Sequence, residues 1–461
     1  ACASLGDLRL SKRLGLITEA AIRRPSVGFP RMMESEAALE GLYRFMNNER
    51  VTPEAILAPH TDGTRKRASE NDLTYVVHDS TEFCYKREQP PEDMGYLRQG
   101  NRGFLGHFSL AVDPGRAGLP LGLVAMEITN RTGERKGKRP TREVLADPTR
   151  ESLRWLRGVS ASHDQLSSAG HIVHLMDREG DSYELFSHIT SLDDGFVIRI
   201  KSNRKVLPDE DMGPTHLFDA LDDFSVIMER DVRISSRAKA NIPRKDHFHP
   251  PRSTRLTHLE IRAGSVVVKV PRHTDKFGLP EQIRLNAVHV SELDPPDEEA
   301  PVDWKLLTTM DANSEEEVAA IVDAYRQRWV IEEYFKALKT GCAFLKRQFD
   351  SMPALLNSLA MLAPVAWRLL VLRDFGRSHP NLPATVVLSE VDIAVLISIT
   401  KKPLAPNPTL EAVMWAIASL GGHLKRNGPP GWQTLARGLE DLELMKLGWL
   451  AARGGNICDQ S

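Results

Sequence analysis

The chain is 461 residues long, and 41% of its residues are hydrophobic and 26% charged. This length exceeds what one hydrophobic core usually organises, so we expect two or three domains. Sixty Lys and Arg oppose sixty-two Asp and Glu, a net charge of −2, which excludes a surface that is basic throughout. Any contact with nucleic acid must therefore come from local basic patches.

The spacing of the cysteines favours a reducing compartment, and the longest apolar stretch favours a buried helix. Cys2, Cys84, Cys342 and Cys458 lie far apart and form no Cys-x-x-Cys pair, which is unlike a zinc ribbon or a disulfide framework. The apolar stretch from Ala354 to Leu372 contains polar residues and a proline, so it predicts a buried helix rather than a membrane span. We expect a cytoplasmic protein. The start lacks Met and any signal-peptide feature, so we expect an N-terminally truncated chain.

Residues 1–60 predict a small helical domain. Helical patterns cover Arg9–Ile22, Ser35–Asn47 and Thr52–Leu57. Residues 1–31 carry six basic and two acidic side chains, an excess that favours contact with phosphate. A solvated helix surface explains the same charge equally well.

A mixed α/β region follows the helical domain. Strand patterns and one helical pattern, at Arg150–Gly158, alternate here; the strands are Leu73–Val77, Phe108–Val112, Leu121–Ile128 and His171–Met176. Three strands, a helix and a fourth strand form the opening of a ribonuclease-H-like layout. Asp79 follows the first strand and Asp177 the fourth. Because chemistry in α/β sheets gathers beyond strand ends, both are candidates for one site.

A strand-rich stretch separates Asp177 from the next helical pattern. Its predicted strands are Phe196–Ile200, Phe224–Met228, Leu256–Arg262, Val266–Val270, Ile283–Val290 and Trp304–Thr309. We expect a β-rich subdomain at about 190–312, inserted into one core of residues 61–360. Residues 230–276 hold twelve basic and four acidic side chains, whereas residues 292–317 hold ten acidic and one basic. This contrast predicts a phosphate-facing edge and a solvent-facing linker.

Residues 361–461 predict a second helical domain. Within it, Trp432–Trp449 places apolar residues every three or four positions, with charges between them. This pattern fits a partner-facing helix and a terminal core helix equally well.

Four polar residues share one face of a helical pattern that runs without interruption from Val318 to Leu338. At about 100° per residue they fall within roughly 60° of arc. They are Tyr325, Arg328, Glu332 and Lys339. A carboxylate, two cations and a phenol together suit a surface that binds a metal and a phosphate backbone.

Three carboxylates are available to converge on metal. Hydrolysis of a phosphodiester needs an activated nucleophile and charge neutralisation, which two Mg²⁺ ions roughly 3.5–4 Å apart supply through hard oxygen ligands. Asp79, Asp177 and Glu332 meet that description. Glu332 is preferred to its neighbour Glu333 because only Glu332 lies on the polar face.

Each of these residues also has a structural explanation of its own. Asp79 fits a turn or cap residue, and Asp177 fits a helix N-cap. An ion pair between Arg328 and Glu332 would contribute only about 0.2–0.5 kcal/mol and would leave Tyr325 unexplained.

Other motifs are weaker. His247-Phe248-His249 offers two imidazoles, but it lies in a basic loop flanked by prolines, without a thiol or carboxylate at zinc spacing. The P-loop pattern is absent, so nucleotide hydrolysis has no support.

Four blocks of the sequence resemble the DDE transposases of bacterial insertion sequences, specifically the insertion-sequence-four family. The most specific block runs from Tyr325 to Gly341 and has the family's Tyr, Arg, Glu and Lys at every spacing. The other blocks are Leu5-Gly6-Asp7 with Tyr43-Arg44-Phe45, the strand end Val77–Thr81, and Asp177-Arg178-Glu179-Gly180-Asp181.

The resemblance implies a role for each candidate residue. Asp79, Asp177 and Glu332 would hold two Mg²⁺ ions, with Mn²⁺ able to substitute. The implied DNA contacts are Tyr325, Arg328 and Lys339 near the scissile phosphate, Trp304 stacked on a flipped base, and Arg199 and Lys201 near a DNA hairpin. The implied reactions are nicking of the 3′ end, hairpin formation and resolution, and strand transfer into target DNA.

The resemblance also implies partners. These are the terminal inverted repeats and target DNA, bound in part by the N-terminal domain, and a second copy of the chain that dimerises through residues 361–461. Arg102-Gly103-Phe104-Leu105 replaces an aromatic pair of the family member that the sequence most resembles, so we expect different end contacts. A metal-dependent nuclease that does not join ends and an inactive DNA-binding inhibitor are the alternatives.

Overall fold

The computed structural model describes residues 5–86, 90–116, 118–133, 141–208, 213–234, 252–272, 278–297, 299–424, 426 and 428–453. These residues form a large mixed β-sheet, with helical regions towards both ends of the chain. The assignment to the α/β class is confirmed.

The N-terminal region is helical, as predicted. Its helices are α1 (Leu8–Arg23), α2 (Phe29–Met32), α3 (Glu36–Met46) and α4 (Pro53–Ala68). The side chains of Asp7, Ser35 and Thr52 accept backbone N–H groups at the starts of α1, α3 and α4. Because α4 continues through Pro59 to Ala68, position 60, at which we predicted a domain boundary, lies inside a helix.

Five strands form the part of the sheet that carries the candidate aspartates. They are β1 (Leu73–Cys84), β2 (Gly103–Asp113), β3 (Leu119–Thr129), β4 (His171–Met176) and β5 (Gly195–Arg199). Their order is β3-β2-β1-β4-β5, with β2 antiparallel to both β1 and β3, and β1, β4 and β5 parallel. The intervening helices are α5 (Thr141–Ala146), α6 (Leu153–Gln165) and α7 (Tyr183–Ser191). All five strands and α6 were predicted.

The strand-rich stretch extends this same sheet. Its elements are β6 (Lys205–Leu207), β7 (Thr215–His216), α8 (Leu217–Asp223), β8 (Val226–Ile234), β9 (Arg255–Lys269), β10 (Gln282–Glu292) and β11 (Asp303–Thr308). β11 pairs with β5, so the order continues β5-β11-β10-β9, and β8 and β6 both pair with β9.

The predicted break in β9 is wrong. The sequence predicted separate strands Leu256–Arg262 and Val266–Val270, whereas one strand covers nearly all of both. Gly264 lies between them without ending the strand, and a Cβ there would come within 2.7 Å of the Phe224 ring. This glycine therefore makes room for a packed ring inside a continuous strand.

The predicted uninterrupted helix over Val318–Leu338 is also wrong. α9 (Glu315–Gln327) and α10 (Val330–Lys336) are separated at Arg328 and Trp329, and a π-helical turn follows at Ala337–Gly341. At the break the N–H groups of Arg328 and Trp329 donate to the carbonyls three residues earlier, which is 3₁₀ geometry. A single such turn hardly changes the apolar spacing, so the pattern conceals it.

The C-terminal region is again helical. It contains α11 (Met352–Leu370), a π-helical turn at Val371–Phe375, α12 (Gly376–Ser378), α13 (Glu390–Ile399), α14 (Leu410–Leu420) and α15 (Trp432–Ala452). The predicted domain boundary between 360 and 361 lies inside α11.

α11 with the following turn, Met352–Phe375, is long and apolar enough to cross a membrane, but 78% of its most apolar window is buried inside the protein. It is therefore a core helix, as the sequence predicted. α15 packs as a core helix on one side, where Leu435 and Leu442 are buried, while Leu444 and Met445 are exposed on the other.

Candidate active site

The sheet register brings Asp79 and Asp177 together. β1 and β4 are parallel, and Val77 is opposite Leu175. Asp79 lies on β1 two residues beyond Val77, and Asp177 follows β4 two residues beyond Leu175. The pairing of the two strands therefore brings both aspartates to the same end of β4, beyond the last paired residues.

Asp79 is a largely buried carboxylate, with a side chain that is 15% exposed, and it accepts two hydrogen bonds. The Ser80 N–H donates to its Oδ1 at 2.7 Å, and Arg328 Nη1 donates to its Oδ2 at 3.1 Å. Burial raises the pKa of Asp79 to about 7; Arg328 opposes this increase, and the charges of Asp177 and Glu332 add to it. The three carboxylates therefore share one electrostatic environment.

Glu332 reaches this environment from α10, on the face of the sheet that Asp79 occupies. Its Oε1 is 3.8 Å from Arg328 Nη2. Ile331 and Phe335 on the same helix are buried, and the Phe335 ring lies 5.5 Å from that of Phe108 on β2. These apolar contacts hold α10 against the sheet.

Glu333 points in another direction. Its carboxylate pairs with Lys336 at 2.7 Å and with Arg373 at 2.7 Å. The 3₁₀ turn at Arg328 and Trp329 separates α9 from α10, so each helix presents its own polar residues to the site.

The donor set fits a divalent metal. Within the part of the chain that the structure describes, no three His, Cys, Asp or Glu side chains stand close enough to hold an ion as they are. The Arg328 guanidinium instead lies between two carboxylates, 3.1 Å from Asp79 Oδ2 and 3.8 Å from Glu332 Oε1. A cation therefore already lies among hard oxygen donors of the kind that Mg²⁺ prefers.

A cavity of about 500 Å³ opens beside the carboxylates. Four of the residues predicted to contact DNA line it: Arg199, Trp304, Tyr325 and Arg328. The rings of Trp304 and Tyr325 meet edge to face, with centroids 5.2 Å apart. Arg199 Nη2 donates to the Asp303 carbonyl at 2.6 Å, and burial lowers its pKa. Aromatic rings and guanidinium groups together suit a nucleic-acid strand.

Comparison with known proteins identifies the family. The sequence model of the transposase DDE domain matches residues 130–365, more than half of the chain, and that of the transposase DNA-binding domain matches residues 1–51. The chain belongs to the DDE transposases. It is accordingly a polynucleotidyl transferase whose partner is DNA, from a class that generally depends on divalent metal. Asp177 and Glu332 lie inside the matched DDE range, and Asp79 precedes it.

A solved structure, the cryo-EM synaptic complex of the piggyBac transposase with hairpin DNA, is similar to this transposase at 10% identity and a TM-score of 0.36. The match covers 97% of this chain and 72% of that chain. A TM-score this low carries no argument about the present fold.

Lys339 is not among the residues that line the cavity and instead contacts β1. Its Nζ donates to Thr81 Oγ1 at 2.6 Å and to the Glu82 carbonyl at 2.8 Å, and it lies 5.2 Å from the centroid of the Phe83 ring. Burial lowers the pKa of this ammonium. The transposase thus holds Lys339 against β1 just beyond the candidate carboxylate.

Lys201 does not join the cavity. Its side chain is exposed after β5, and its backbone N–H donates to Asp181 Oδ2 at 2.8 Å. The remaining sequence candidates, His247 and His249, lie outside the described residues.

Sequence reasoning missed further residues of the transposase site. Arg233, Arg326 and Trp329 also line the cavity, and the Trp329 side chain is 57% exposed. Trp329 stands inside the Tyr325–Gly341 block, so its position beside Arg328 was a usable signal. Arg233 lies in the basic stretch 230–276, where charge alone did not single it out.

Proposed function

We propose that this transposase performs cut-and-paste transposition in the manner of the insertion-sequence-four family. Asp79, Asp177 and Glu332 are its metal ligands, and Mg²⁺ is its physiological metal, bound as two ions with Mn²⁺ able to substitute. The steps are 3′ end nicking, hairpin formation and resolution, and strand transfer into target DNA. The observation that carries the proposal is the parallel pairing of β1 and β4, which ends two residues before Asp79 and two residues before Asp177.

The sheet order supports a ribonuclease-H-like core. On one side of β1 the sheet continues with β2 and β3, each antiparallel to the strand before it, and on the other side with β4 and β5, which are parallel to β1. The first aspartate lies on β1, and the second follows β4. The strands of residues 190–312 are then an insertion that lengthens the same sheet. Residues 1–60 and 361–461 are the DNA-binding and dimerisation regions, with their boundaries moved to the ends of α4 and α11.

The chain's own residues supply orientation and charge. When bound, the metal ions neutralise charge on the attacking and leaving oxygens and favour deprotonation of the nucleophile. Arg328 exchanges its contact with Asp79 for a phosphate oxygen, to which its planar guanidinium can donate two hydrogen bonds. Lys339 approaches the backbone as a point charge, and Tyr325 donates its hydroxyl.

The cavity beside the carboxylates receives the DNA end. Trp304 offers its ring to a base that leaves the stack, and Arg199 neutralises the adjacent backbone. Lys201 acts at the rim because its side chain is exposed. The exposed Leu444 and Met445 on α15 support a homodimer in the synaptic complex. A bacterial cytoplasmic location follows from this function.

A strand-transfer assay tests the proposal. Purified transposase, Mg²⁺ and pre-nicked donor DNA with the element's terminal inverted repeats are incubated with a supercoiled target. We expect donor ends joined to target DNA by the wild type, and no nicking or joining by Asp177→Asn at unchanged DNA affinity. Cleavage without joined product would instead identify a nuclease, and DNA binding without any cleavage would identify an inhibitor.

A further inference from the structure

Arg154 is buried on the face of the sheet opposite Asp79, where it contacts both β1 and the turn that follows β4. It lies on α6, and its side chain is 6% exposed. Its Nε donates to Ser80 Oγ at 2.9 Å, its Nη2 to Glu179 Oε2 at 2.5 Å, and its Nη1 to the Glu151 carbonyl at 3.0 Å. Each guanidinium nitrogen therefore has an acceptor.

Two of these acceptors are adjacent to the proposed metal ligands. Ser80 follows Asp79 directly, and its N–H donates to the Asp79 carboxylate. Glu179 lies two residues after Asp177, and its N–H donates to Asp177 Oδ1 at 2.8 Å. The set Ser80–Arg154–Glu179, here called the Arg154 bridge, thus connects β1 with the turn after β4 through side chains.

This connection begins where the sheet's own pairing stops. β4 ends at Met176, so no ladder hydrogen bond of β4 holds Asp177 beside β1. A buried guanidinium is costly to desolvate, and this one contacts both the strand that carries Asp79 and the turn that begins at Asp177.

The surroundings keep the guanidinium in one orientation. Its central carbon is 5.6 Å from the centroid of the Trp155 ring, and Ser80 Oγ also contacts His107 Nδ1 at 3.0 Å. Burial lowers the pKa of His107 to about 3, so this ring is neutral and adds no charge that would repel the arginine. The planar guanidinium donates to Ser80 and Glu179 from nitrogens at a fixed separation, so it keeps these two acceptors at a defined distance better than the flexible ammonium of a lysine would.

We propose that Arg154 is a positioning residue that sets the separation of Asp79 and Asp177 through Ser80 and Glu179, and thereby the affinity of the site for divalent metal. This inference rests on the proposed function, because it requires the two aspartates to be ligands. Partners of metal ligands of this kind typically change metal affinity by about 10–100-fold when they are removed.

The test measures how the nicking rate of the full-length transposase depends on Mg²⁺ concentration. For Arg154→Met we expect the half-saturating Mg²⁺ concentration to rise about tenfold, with most of the rate recovered at high Mg²⁺ and DNA affinity unchanged. Arg154→Lys should give an intermediate shift, because one ammonium satisfies Ser80 or Glu179 less well than the fork satisfies both.

Arg150→Met is the matched control. Arg150 is also buried, and its guanidinium forms an ion pair with Glu184. Because this ion pair is made with α7, we expect a loss of thermal stability without a shift in the Mg²⁺ dependence.

A double-mutant cycle separates positioning from general destabilisation. Glu179→Gln should raise the half-saturating Mg²⁺ concentration severalfold alone and add little in the Arg154→Met background, since both act through the same contact. A wild-type Mg²⁺ dependence of Arg154→Met, or an equal shift in Arg150→Met, would overturn the positioning role. Asp177→Asn measured in parallel distinguishes this failure from a failure of the proposed function, which would appear as nicking by Asp177→Asn.

Discussion

The two halves of the candidate site are built by different forces. Asp79 lies on β1 and Asp177 directly follows β4, and the backbone pairing of these parallel strands ends at Val77 and Leu175, two residues before each aspartate. Glu332 stands on a short helix that follows a 3₁₀ turn and is held by the packing of side chains such as Phe335. Hydrogen bonds between strands hold residues in one register, whereas a helix held by side-chain packing can shift against its neighbours. We therefore infer that α10 and Glu332 change position when metal and DNA bind.

The C-terminal region contributes to the helix half. Arg373, in the π-helical turn after α11, donates to Glu333 at 2.7 Å, and its guanidinium lies 4.4 Å from the centroid of the Trp432 ring at the start of α15. The helix that carries Glu332 is thus connected to the region proposed to dimerise. No such connection is needed for the aspartates, which the sheet and the Arg154 bridge hold.

The largest expected effect comes from removing the carboxylate of the helix half. Glu332→Gln should reduce nicking below detection while end binding, measured by gel shift, stays within about twofold of wild type, because the amide keeps the shape but not the charge. The same end DNA is used with Glu332→Ala as a second variant. Loss of binding together with nicking would show that Glu332 is structural.

A smaller effect is expected when the support of α10 is removed. Arg373→Met should lower the nicking rate about tenfold at saturating DNA, since Glu333 loses its buried partner and α10 loses a contact with the C-terminal region. Lys336→Met is the matched control, because it removes the more exposed partner of the same carboxylate and surface ion pairs contribute little. An equal loss of nicking rate in Arg373→Met and Lys336→Met would contradict a larger role for the Arg373 contact than for the Lys336 contact.

Arg328 connects the two halves and should affect DNA binding moderately. For Arg328→Ala we expect weaker end binding and a slope of log affinity against log salt that is smaller by about one phosphate contact. The measurement is a salt titration of end binding by fluorescence anisotropy. A slope equal to that of wild type would place Arg328 away from the phosphate backbone.

The smallest expected effect is on stability in the strand half without metal. The pKa of Asp79 is raised by burial to about 7 in the folded protein, above its value in the unfolded chain. The wild type therefore loses stability as the pH rises from about 4 to about 7, whereas an asparagine at this position does not titrate. We compare the free energy of unfolding of Asp79→Asn with that of the wild type, in EDTA, at pH 4.5 and at pH 8. The difference between the two proteins should move in favour of the variant by about 1–3 kcal/mol between the lower and the higher pH. Urea unfolding at the two pH values measures this gain, and a pH-independent difference would contradict it.

Local patterns in the sequence predicted most of the elements that carry the site. The strands of the β1–β5 core, α6 and α15 follow from apolar periodicity, as does the position of Asp177 directly after β4. The predicted end of the first strand before Asp79 is wrong, because β1 continues to Cys84 in its pairing with β2. The break at Arg328 and Trp329 could not be read, because one 3₁₀ turn leaves the 3.6-residue spacing almost intact.

Contacts between distant residues were beyond prediction. Arg154 meets Ser80 across 74 positions and Arg373 meets Glu333 across 40, and neither charge differs in sequence from an ordinary solvated arginine. The continuation of the sheet from β5 to β11 depends likewise on pairing between separate parts of the chain, which single-strand patterns do not encode.

The most direct test of the proposed metal ligands changes the chemistry of one oxygen donor. Asp177→Cys replaces a carboxylate by a thiolate, which Mg²⁺ binds poorly and softer divalent metals such as Mn²⁺ accept better. We predict that this variant does not nick end DNA in Mg²⁺ and regains nicking in Mn²⁺, while Asp177→Ala stays inactive in both metals. Nicking by Asp177→Cys in Mg²⁺ at the wild-type rate would contradict a role for Asp177 as a metal ligand.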